Sequence, residues 1–306
     1  MIFTLILSLI FNLSFLPPAN NFSGGQILGQ SDFQKNGNLQ TAGDSVDPFP
    51  ARINLENLGV KVSATNALAL DVETNFKLWE KKSDEKRPIA SITKLATTLV
   101  LMDQIKNWQE KFTILPEDTT AGSKLIVLPG ETITLDNALR LSLIASDNSA
   151  TTALVRTSSQ KNEQFVNQMN AKMKNLGLIH TNFVDPVGLS DKNISTAQEV
   201  ALLFKKVIAE EKIKDILSLT RYSFESDNGT IHHITNTNKL LTSYLAVLAG
   251  KTGSTPEAGD CFVSLIELPN KKQIIVVVLN SSSSLNRFQD TKAIVDWVAN
   301  NYYWPE

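Results

Sequence analysis

The sequence is poor in the residues that hold metals and disulfides. It has one cysteine, Cys261, and three histidines, His180, His232 and His233, in 306 residues. A single thiol cannot form an internal disulfide, and this one lies in the apolar run CFVSLIEL, which is typical of a packed strand. The histidines lack the spacing of a zinc site. We therefore expect no metal and no cofactor.

Long basic runs and internal repeats are also missing. The 29 Lys and Arg residues nearly balance the 31 Asp and Glu residues, for a net charge of -2. This balance disfavours nucleic acid as a partner. The sequence contains no Gly-x-Ser-x-Gly elbow either, which disfavours a hydrolase built on a Ser-His-Asp triad at such an elbow.

The first sixteen residues, MIFTLILSLIFNLSFL, form an apolar run. A membrane-spanning helix needs roughly 20 residues, so residues 1–16 predict a signal peptide or an N-terminal membrane anchor. No basic residue precedes the run and no Ala-x-Ala site follows it, so cleavage stays open. Residues 17–58 are rich in Asn, Gln, Gly and Ser, which predicts a flexible polar linker.

Residues 59–306 predict one folded domain of the α/β (α+β layered) class. Strand patterns occupy 67–72 and 76–80, and three more follow in LAVLAGKTGS, CFVSLIEL and QIIVVVLN. Helical periodicity dominates the stretch between them, and a last helix is predicted over 290–300. This order favours an antiparallel sheet of about five strands, flanked by helices, with a mostly helical lobe.

Three short polar motifs stand out in this domain. The stretch RPIASITKLATTLVLM places Ser91 and Lys94 three residues apart, on one face at the start of an amphipathic helix. Ser146-Asp147-Asn148 falls at a polar break between two predicted helices, and Lys251-Thr252-Gly253 lies in a predicted strand. Ser-x-x-Lys alone also fits a capping serine and a solvent-reaching lysine. The three motifs in this order, however, are those of penicillin-binding proteins and class A β-lactamases.

These residue types suit acyl transfer. A serine hydroxyl becomes a good nucleophile when a base removes its proton, and Lys94 serves as that base only when it is neutral. Burial and the nearby charge of Lys251 are both expected to lower the pKa of Lys94. Ser146 is placed to relay a proton to the leaving amine. The backbone N–H groups of Ser91 and Ser254 are candidates for an oxyanion hole.

Over about residues 60 to 300 the chain resembles the D-alanyl-D-alanine carboxypeptidase family, the low-molecular-mass penicillin-binding proteins. The phrases that carry the resemblance are IASITKLATTLVLMDQ, LPGETITLDNALRLSLIASDNSATTAL, HTNFVDPVGLSDKNISTAQEVALL and GKTGSTPEAGDCFVSL. The resemblance implies a β-lactamase/transpeptidase-like fold and a serine peptidase that removes the terminal D-Ala from peptidoglycan stem pentapeptides. It also implies β-lactams as covalent inhibitors. With the apolar N-terminus, it implies export to the outer face of the cytoplasmic membrane, the periplasm or the cell wall of a bacterium.

The resemblance also implies a role for each motif residue. The expected catalytic residues are Ser91 as nucleophile, Lys94 as proton acceptor, Ser146, Asn148 and Lys251. The expected substrate-binding residues are Lys251, Thr252, Gly253, Ser254 and Arg287, with Arg287 also readable as a surface arginine at a helix start. Family members commonly carry an aromatic residue or His where Ser254 stands.

Three other functions stay open. A D,D-endopeptidase would cut peptidoglycan cross-links with the same machinery. A β-lactamase needs a deacylating Glu-x-x-x-Asn, and Glu163 to Asn167 match that text, but they fall on a predicted helix rather than a loop, so we interpret the match as coincidence. A catalytically inactive wall-binding protein is disfavoured because every catalytic position is filled.

Overall fold

The computed structural model describes residues 49–57, 59–120, 124–158 and 162–305. The predicted signal peptide or anchor, and the predicted linker up to residue 48, lie outside these residues. Within them, no helix combines the length and the apolar character needed to cross a membrane.

The five predicted strands form, and several short strand pairs that were not predicted form beside them. In chain order they are β1 (Ala51–Arg52), β2 (Asn66–Asp71), β3 (Lys77–Lys81), β4 (Arg87–Pro88), β5 (Lys111–Thr113), β6 (Thr132–Thr134), β7 (Ile194–Ser195), β8 (Arg221–Glu225), β9 (Ile231–Thr235), β10 (Ala246–Thr255), β11 (Gly259–Glu267), β12 (Gln273–Ser281) and β13 (Tyr302–Tyr303). The α-helices are α1 (Lys94–Gln104), α2 (Leu135–Arg140), α3 (Asn148–Thr157), α4 (Asn162–Asn175), α5 (Ala197–Ile208), α6 (Glu211–Ser218) and α7 (Asn286–Asn301).

The central sheet has the order β10-β11-β12-β2-β3, with every neighbouring pair antiparallel. The predicted five-stranded antiparallel sheet is therefore confirmed. Side chains alternate between its two faces, as the pleat requires. On β2, Leu68 and Leu70 join a core with α1 and α5, whereas Ala67 and Ala69 join a second core with α7. A sheet covered on both faces explains the nearly unbroken apolar runs of β11 and β12.

The helical lobe forms between β3 and β10, as predicted. Phe165, Met169 and Met173 on α4 are fully buried, which matches their spacing along one stripe. Gly177 follows this helix with a φ of 78°, a left-handed conformation that suits glycine after a helix end. β8 and β9 pair as a hairpin around the predicted Asn-Gly turn.

Two predicted boundaries are wrong. The predicted linker extends to residue 58, but β1 already pairs with β13, and the Arg52 guanidinium lies 5.4 Å from the centroid of the Trp297 ring. The last helix begins at Asn286 rather than at residue 290, and the hydroxyl of Ser283, just before it, accepts a hydrogen bond from the Asn286 amide at 3.1 Å. The ordered domain is thus longer than the apolar periodicity indicates.

Candidate active site

The predicted nucleophile lies on a tight turn that leads into α1. Ala90–Thr93 form a 3-10 turn, and Ala90 adopts a left-handed φ of 46°. The α-helix proper begins at Lys94, so Ser91 precedes it instead of opening it. The predicted approach of the two side chains still occurs, because the Nζ atom of Lys94 lies 3.0 Å from the Oγ atom of Ser91.

Lys94 is completely buried and makes two further hydrogen bonds. Its Nζ atom lies 2.7 Å from the side-chain oxygen of Asn148 and 2.8 Å from the backbone oxygen of Val187. Both oxygens only accept hydrogen bonds, so each takes one N–H. A neutral amine has two N–H groups and one lone pair. In that state the lone pair of Lys94 is left for the hydroxyl proton of Ser91.

Burial lowers the pKa of Lys94 to about 7, and the carboxylates of Asp147 and Asp185 oppose this shift. The predicted charge repulsion between Lys94 and Lys251 is present, and its effect falls on the pKa of Lys251. Lys251 is itself buried, and its own pKa falls well below the usual range through burial first and the charge of Lys94 second. The pKa of Lys94 therefore depends on desolvation more than on like charge.

An unusual backbone conformation brings Ser146 into the site. α2 widens into a π-helical turn over Leu141–Ala145, which ends at Ser146 with a left-handed φ of 58°. Single π-helical turns of this kind are frequent at functional sites. The turn directs the Ser146 hydroxyl to Lys251, whose Nζ donates a hydrogen bond to it at 2.7 Å. Asp147 then caps α3 by accepting a 2.7 Å hydrogen bond from the Ala150 amide.

β10 is an edge strand of the sheet and forms the other wall of the site. The Thr252 hydroxyl donates to the hydroxyl of Thr237 at 2.6 Å, and Ser254 is exposed. Gly253 lies against the nucleophile: a β-carbon there would stand 3.0 Å from the amide nitrogen of Ser91. Glycine is thus required for β10 to approach the nucleophile turn this closely.

Arg287 lies at the start of α7, but it is not a surface residue. The residue is 9% exposed, and its Nη1 atom donates to the Gly253 carbonyl at 3.1 Å and to Asp260 at 3.2 Å. The Asp260 carboxylate partly compensates the buried guanidinium. Arg287 therefore contacts β10, the strand that carries the Lys-Thr-Gly motif.

The structure brings all the sequence-predicted site residues together. A cleft of about 250 Å³ is lined by Ser91, Lys124, Ala145, Ser146, Asn148, Gly188, Leu189, Thr237, Thr252, Gly253, Ser254, Thr255 and Arg287. Lys94 and Lys251 are buried against its polar residues. Six residues of the cleft were not predicted from the sequence: Lys124, Ala145, Gly188, Leu189, Thr237 and Thr255. Gly188 and Leu189 lie in the phrase VDPVGL, and Thr237 lies in TNTN.

The residues that would mark a β-lactamase lie elsewhere. Glu163 and Asn167 are exposed on α4, and neither lines the cleft. Their positions on α4 agree with the interpretation that the Glu-x-x-x-Asn match is a coincidence.

Comparisons with known proteins identify the family and the fold. The D-alanyl-D-alanine carboxypeptidase family profile matches residues 53–283. A D-alanyl-D-alanine carboxypeptidase of Bacillus subtilis is 30% identical over 78% of this chain, which spans 63% of that relative's length. A D-alanyl-D-alanine endopeptidase of Escherichia coli is 30% identical over 80% of both chains. The structure of penicillin-binding protein D2 from Listeria monocytogenes, bound to cefotaxime, superimposes with a TM-score of 0.70 at 28% identity, over 79% of this chain and 99% of that one. The predicted fold is confirmed, and the chain belongs to the D-alanyl-D-alanine carboxypeptidase family of serine peptidases.

Proposed function

We propose that the chain is a serine D,D-carboxypeptidase that removes the terminal D-Ala from peptidoglycan stem pentapeptides through an acyl-enzyme on Ser91. The observation that carries the proposal is the 3.0 Å approach of the Lys94 Nζ atom to the Ser91 hydroxyl, with the other two Lys94 contacts going to acceptor oxygens. Membership of the family supports the substrate class.

The acylation step follows from these contacts. The Ser91 oxygen attacks the carbonyl carbon of the penultimate D-Ala while its proton passes to Lys94. The C–N bond to the terminal D-Ala breaks, and Ser146 relays the proton held by Lys94 to the departing amine, giving up its own hydroxyl proton and taking the Lys94 proton in its place. Water then attacks the ester, so that the shortened peptide leaves as a carboxylate and Ser91 regains its proton. Asn148 holds a substrate amide during both steps.

The remaining cleft residues bind the substrate in this scheme. Lys251, Thr252 and Arg287 receive the terminal carboxylate: Thr252 and Arg287 line the cleft, and Lys251 is buried beside it. The close approach of Gly253 to Ser91 supports an oxyanion hole made from the N–H groups of Ser91 and Ser254. An extended peptide adds along the β10 edge by strand pairing.

The nucleophile and the family membership also support the proposed partners and place of action. β-Lactams acylate Ser91 because they present a reactive amide to the same nucleophile, and the cefotaxime-bound Listeria structure supports this. A protein that acts on peptidoglycan works outside the cytoplasm. We place this chain at the outer face of the cytoplasmic membrane, in the periplasm or in the cell wall, with residues 1–16 as its membrane contact or export signal.

A D,D-endopeptidase is the second candidate, favoured by the Escherichia coli relative of that name, which matches over 80% of its length.

One experiment separates the candidates: the full chain is incubated with a pentapeptide ending in D-Ala-D-Ala and, separately, with a cross-linked peptide dimer. Released D-Ala from the pentapeptide supports the carboxypeptidase. Cleavage of the dimer alone supports the endopeptidase. Failure of both, with no penicillin labelling, supports the inactive wall-binding protein. The Ser91→Ala variant is the control for contaminating peptidases.

A further inference from the structure

One carboxylate organises the loop that passes behind the candidate base. Oδ1 of Asp185 accepts hydrogen bonds from the backbone amides of Val187 at 2.8 Å and Gly188 at 2.6 Å, with a longer contact of 3.3 Å to Leu189. Oδ2 accepts from the amide of Ser190 at 2.8 Å. A single side chain therefore sets the backbone course of residues 187–190.

A second polar side chain ties this loop to the turn that carries the nucleophile. The Asn193 oxygen accepts from the amides of Val184 at 2.7 Å and Asp185 at 3.2 Å. Its nitrogen donates to the Asp185 carbonyl at 2.9 Å and to the Thr93 hydroxyl at 3.3 Å. Thr93 ends the 3-10 turn, so the loop and the turn are joined at that point.

The loop fixed in this way presents its carbonyl groups to α1. The Val187 oxygen accepts from the Nζ of Lys94 at 2.8 Å, and the Pro186 oxygen accepts from the Thr97 hydroxyl at 2.5 Å. Gly188 packs so closely on the nucleophile turn that a β-carbon there would stand 2.1 Å from the carbonyl oxygen of Ala90. A shift of this loop would therefore displace an acceptor of the base and a support of the turn together.

We infer that Asp185 is a positioning residue for acyl transfer. Asp185 holds the Val187 carbonyl at the point where this carbonyl accepts one N–H of Lys94. The lone pair of Lys94 is then left to point at the Ser91 hydroxyl. This inference rests on the proposed function, because it assumes that Lys94 is the base. Asp185 touches neither Ser91 nor Lys94 by hydrogen bond in the structure and acts through the loop backbone.

Asp185 also affects the base by its charge. The charged groups that act on Lys94 are the carboxylates of Asp147 and Asp185, which favour its protonated form, and Lys251, which repels that form whenever its own amine is protonated. Loss of the Asp185 charge therefore lowers the pKa of Lys94. Loss of its hydrogen bonds instead loosens the loop. The two effects can be separated with two variants.

The test compares Asp185→Asn and Asp185→Ala in the full chain, by acylation with a fluorescent penicillin between about pH 5 and pH 9. Asp185→Asn keeps one acceptor oxygen and removes the charge, so the midpoint of its pH profile is expected below that of the wild type. Asp185→Ala also removes the acceptors, and its plateau acylation rate is expected to fall at least ~10-fold, because small misplacements of a base are costly. The KM for the pentapeptide should change less than kcat, since Asp185 does not line the cleft.

Asp71→Asn is the matched control. The Asp71 carboxylate is also buried and accepts from the amide of Thr74 at 2.8 Å, but it lies on β2, with β12 and β11 between it and β10. Its loss should lower stability without moving the pH midpoint or the acylation rate of the folded protein. Wild-type rates and an unchanged midpoint in both Asp185 variants would overturn the inference. If the wild-type chain itself is not acylated, the proposed function fails instead.

Discussion

The Nζ atom of Lys251 lies 2.7 Å from the Oγ atom of Ser146, although the two residues are 105 positions apart in sequence. The Nζ atom donates this hydrogen bond, so the Ser146 hydroxyl accepts it and keeps its own proton for another acceptor. Lys251 also donates to the carbonyl of Thr252 at 2.9 Å. The motif on β10 therefore orients the hydroxyl that we assign to proton relay.

The first prediction uses the left-handed backbone of Ser146, where φ is 58°. Ser146→Ala and Ser146→Gly both remove the hydroxyl, and both should slow acylation by at least ~100-fold. The glycine variant should be more stable than the alanine variant by about 1 kcal/mol, because only glycine adopts this conformation without strain. Acylation rates and urea denaturation measure the two effects. An alanine variant that acylates at the wild-type rate would exclude the relay.

The second prediction is that penicillin acylates Ser91 and that the adduct persists for minutes or longer. The exposed positions of Glu163 and Asn167 leave them no route to the acyl-enzyme. Intact-mass measurement and peptide mapping should place the adduct on the Ser91 peptide, and Ser91→Ala should carry none. Rapid release of hydrolysed drug would favour the β-lactamase instead.

The third prediction concerns Lys94→Arg. A guanidinium keeps the positive charge but does not deprotonate in proteins, so the variant loses the base. We expect acylation at least ~100-fold slower than in the wild type. Circular dichroism should first establish that the variant is folded, since Lys94 is completely buried. A folded variant with near wild-type acylation would contradict the role of Lys94.

The fourth prediction is the pH dependence of acylation. Burial lowers the pKa of Lys94 to about 7, and only the neutral amine acts as a base. The acylation rate should therefore rise with pH and reach half of its plateau near this value. Rate constants measured across the range in buffers of constant ionic strength test this. A rate that is flat from acid to neutral pH would show that no group with this pKa limits the step.

The fifth prediction concerns the N-terminal boundary. Deletion of residues 1–48 should leave the domain folded, whereas deletion of residues 1–57 also removes β1 and its pairing with β13. The longer deletion also removes the 2.9 Å hydrogen bond from the Trp297 indole to Asn57 and the contact of Arg52 with that ring. We expect the longer deletion to lower the free energy of unfolding by about 2 kcal/mol. In a domain of this size, that loss lowers the melting temperature by roughly 4 to 8 °C.

Both deletion variants should keep the acylation rate of the folded protein, because no residue of β1 lines the cleft. Equal melting temperatures of the two variants would mean that β1 contributes nothing to stability.

Local features were predictable from the sequence because interactions between residues close in sequence determine them. Positions three apart share one face of a helical turn, so Ser91 and Lys94 had to lie close together whichever helix type formed. The strands of the sheet and the turn at Asn228-Gly229 likewise follow from periodicity and turn chemistry. The order of the three motifs then indicated the family.

Only the tertiary structure decided what surrounds these residues. The other partners of Lys94 lie 54 and 93 positions away, so neither its burial nor the direction of its lone pair could be derived from spacing. Its pKa depends on desolvation and on carboxylates from separate loops, which spacing along the sequence does not reveal. The two-residue strand β1 is too short to show a pattern and exists because β13, from the other end of the chain, supplies its hydrogen bonds.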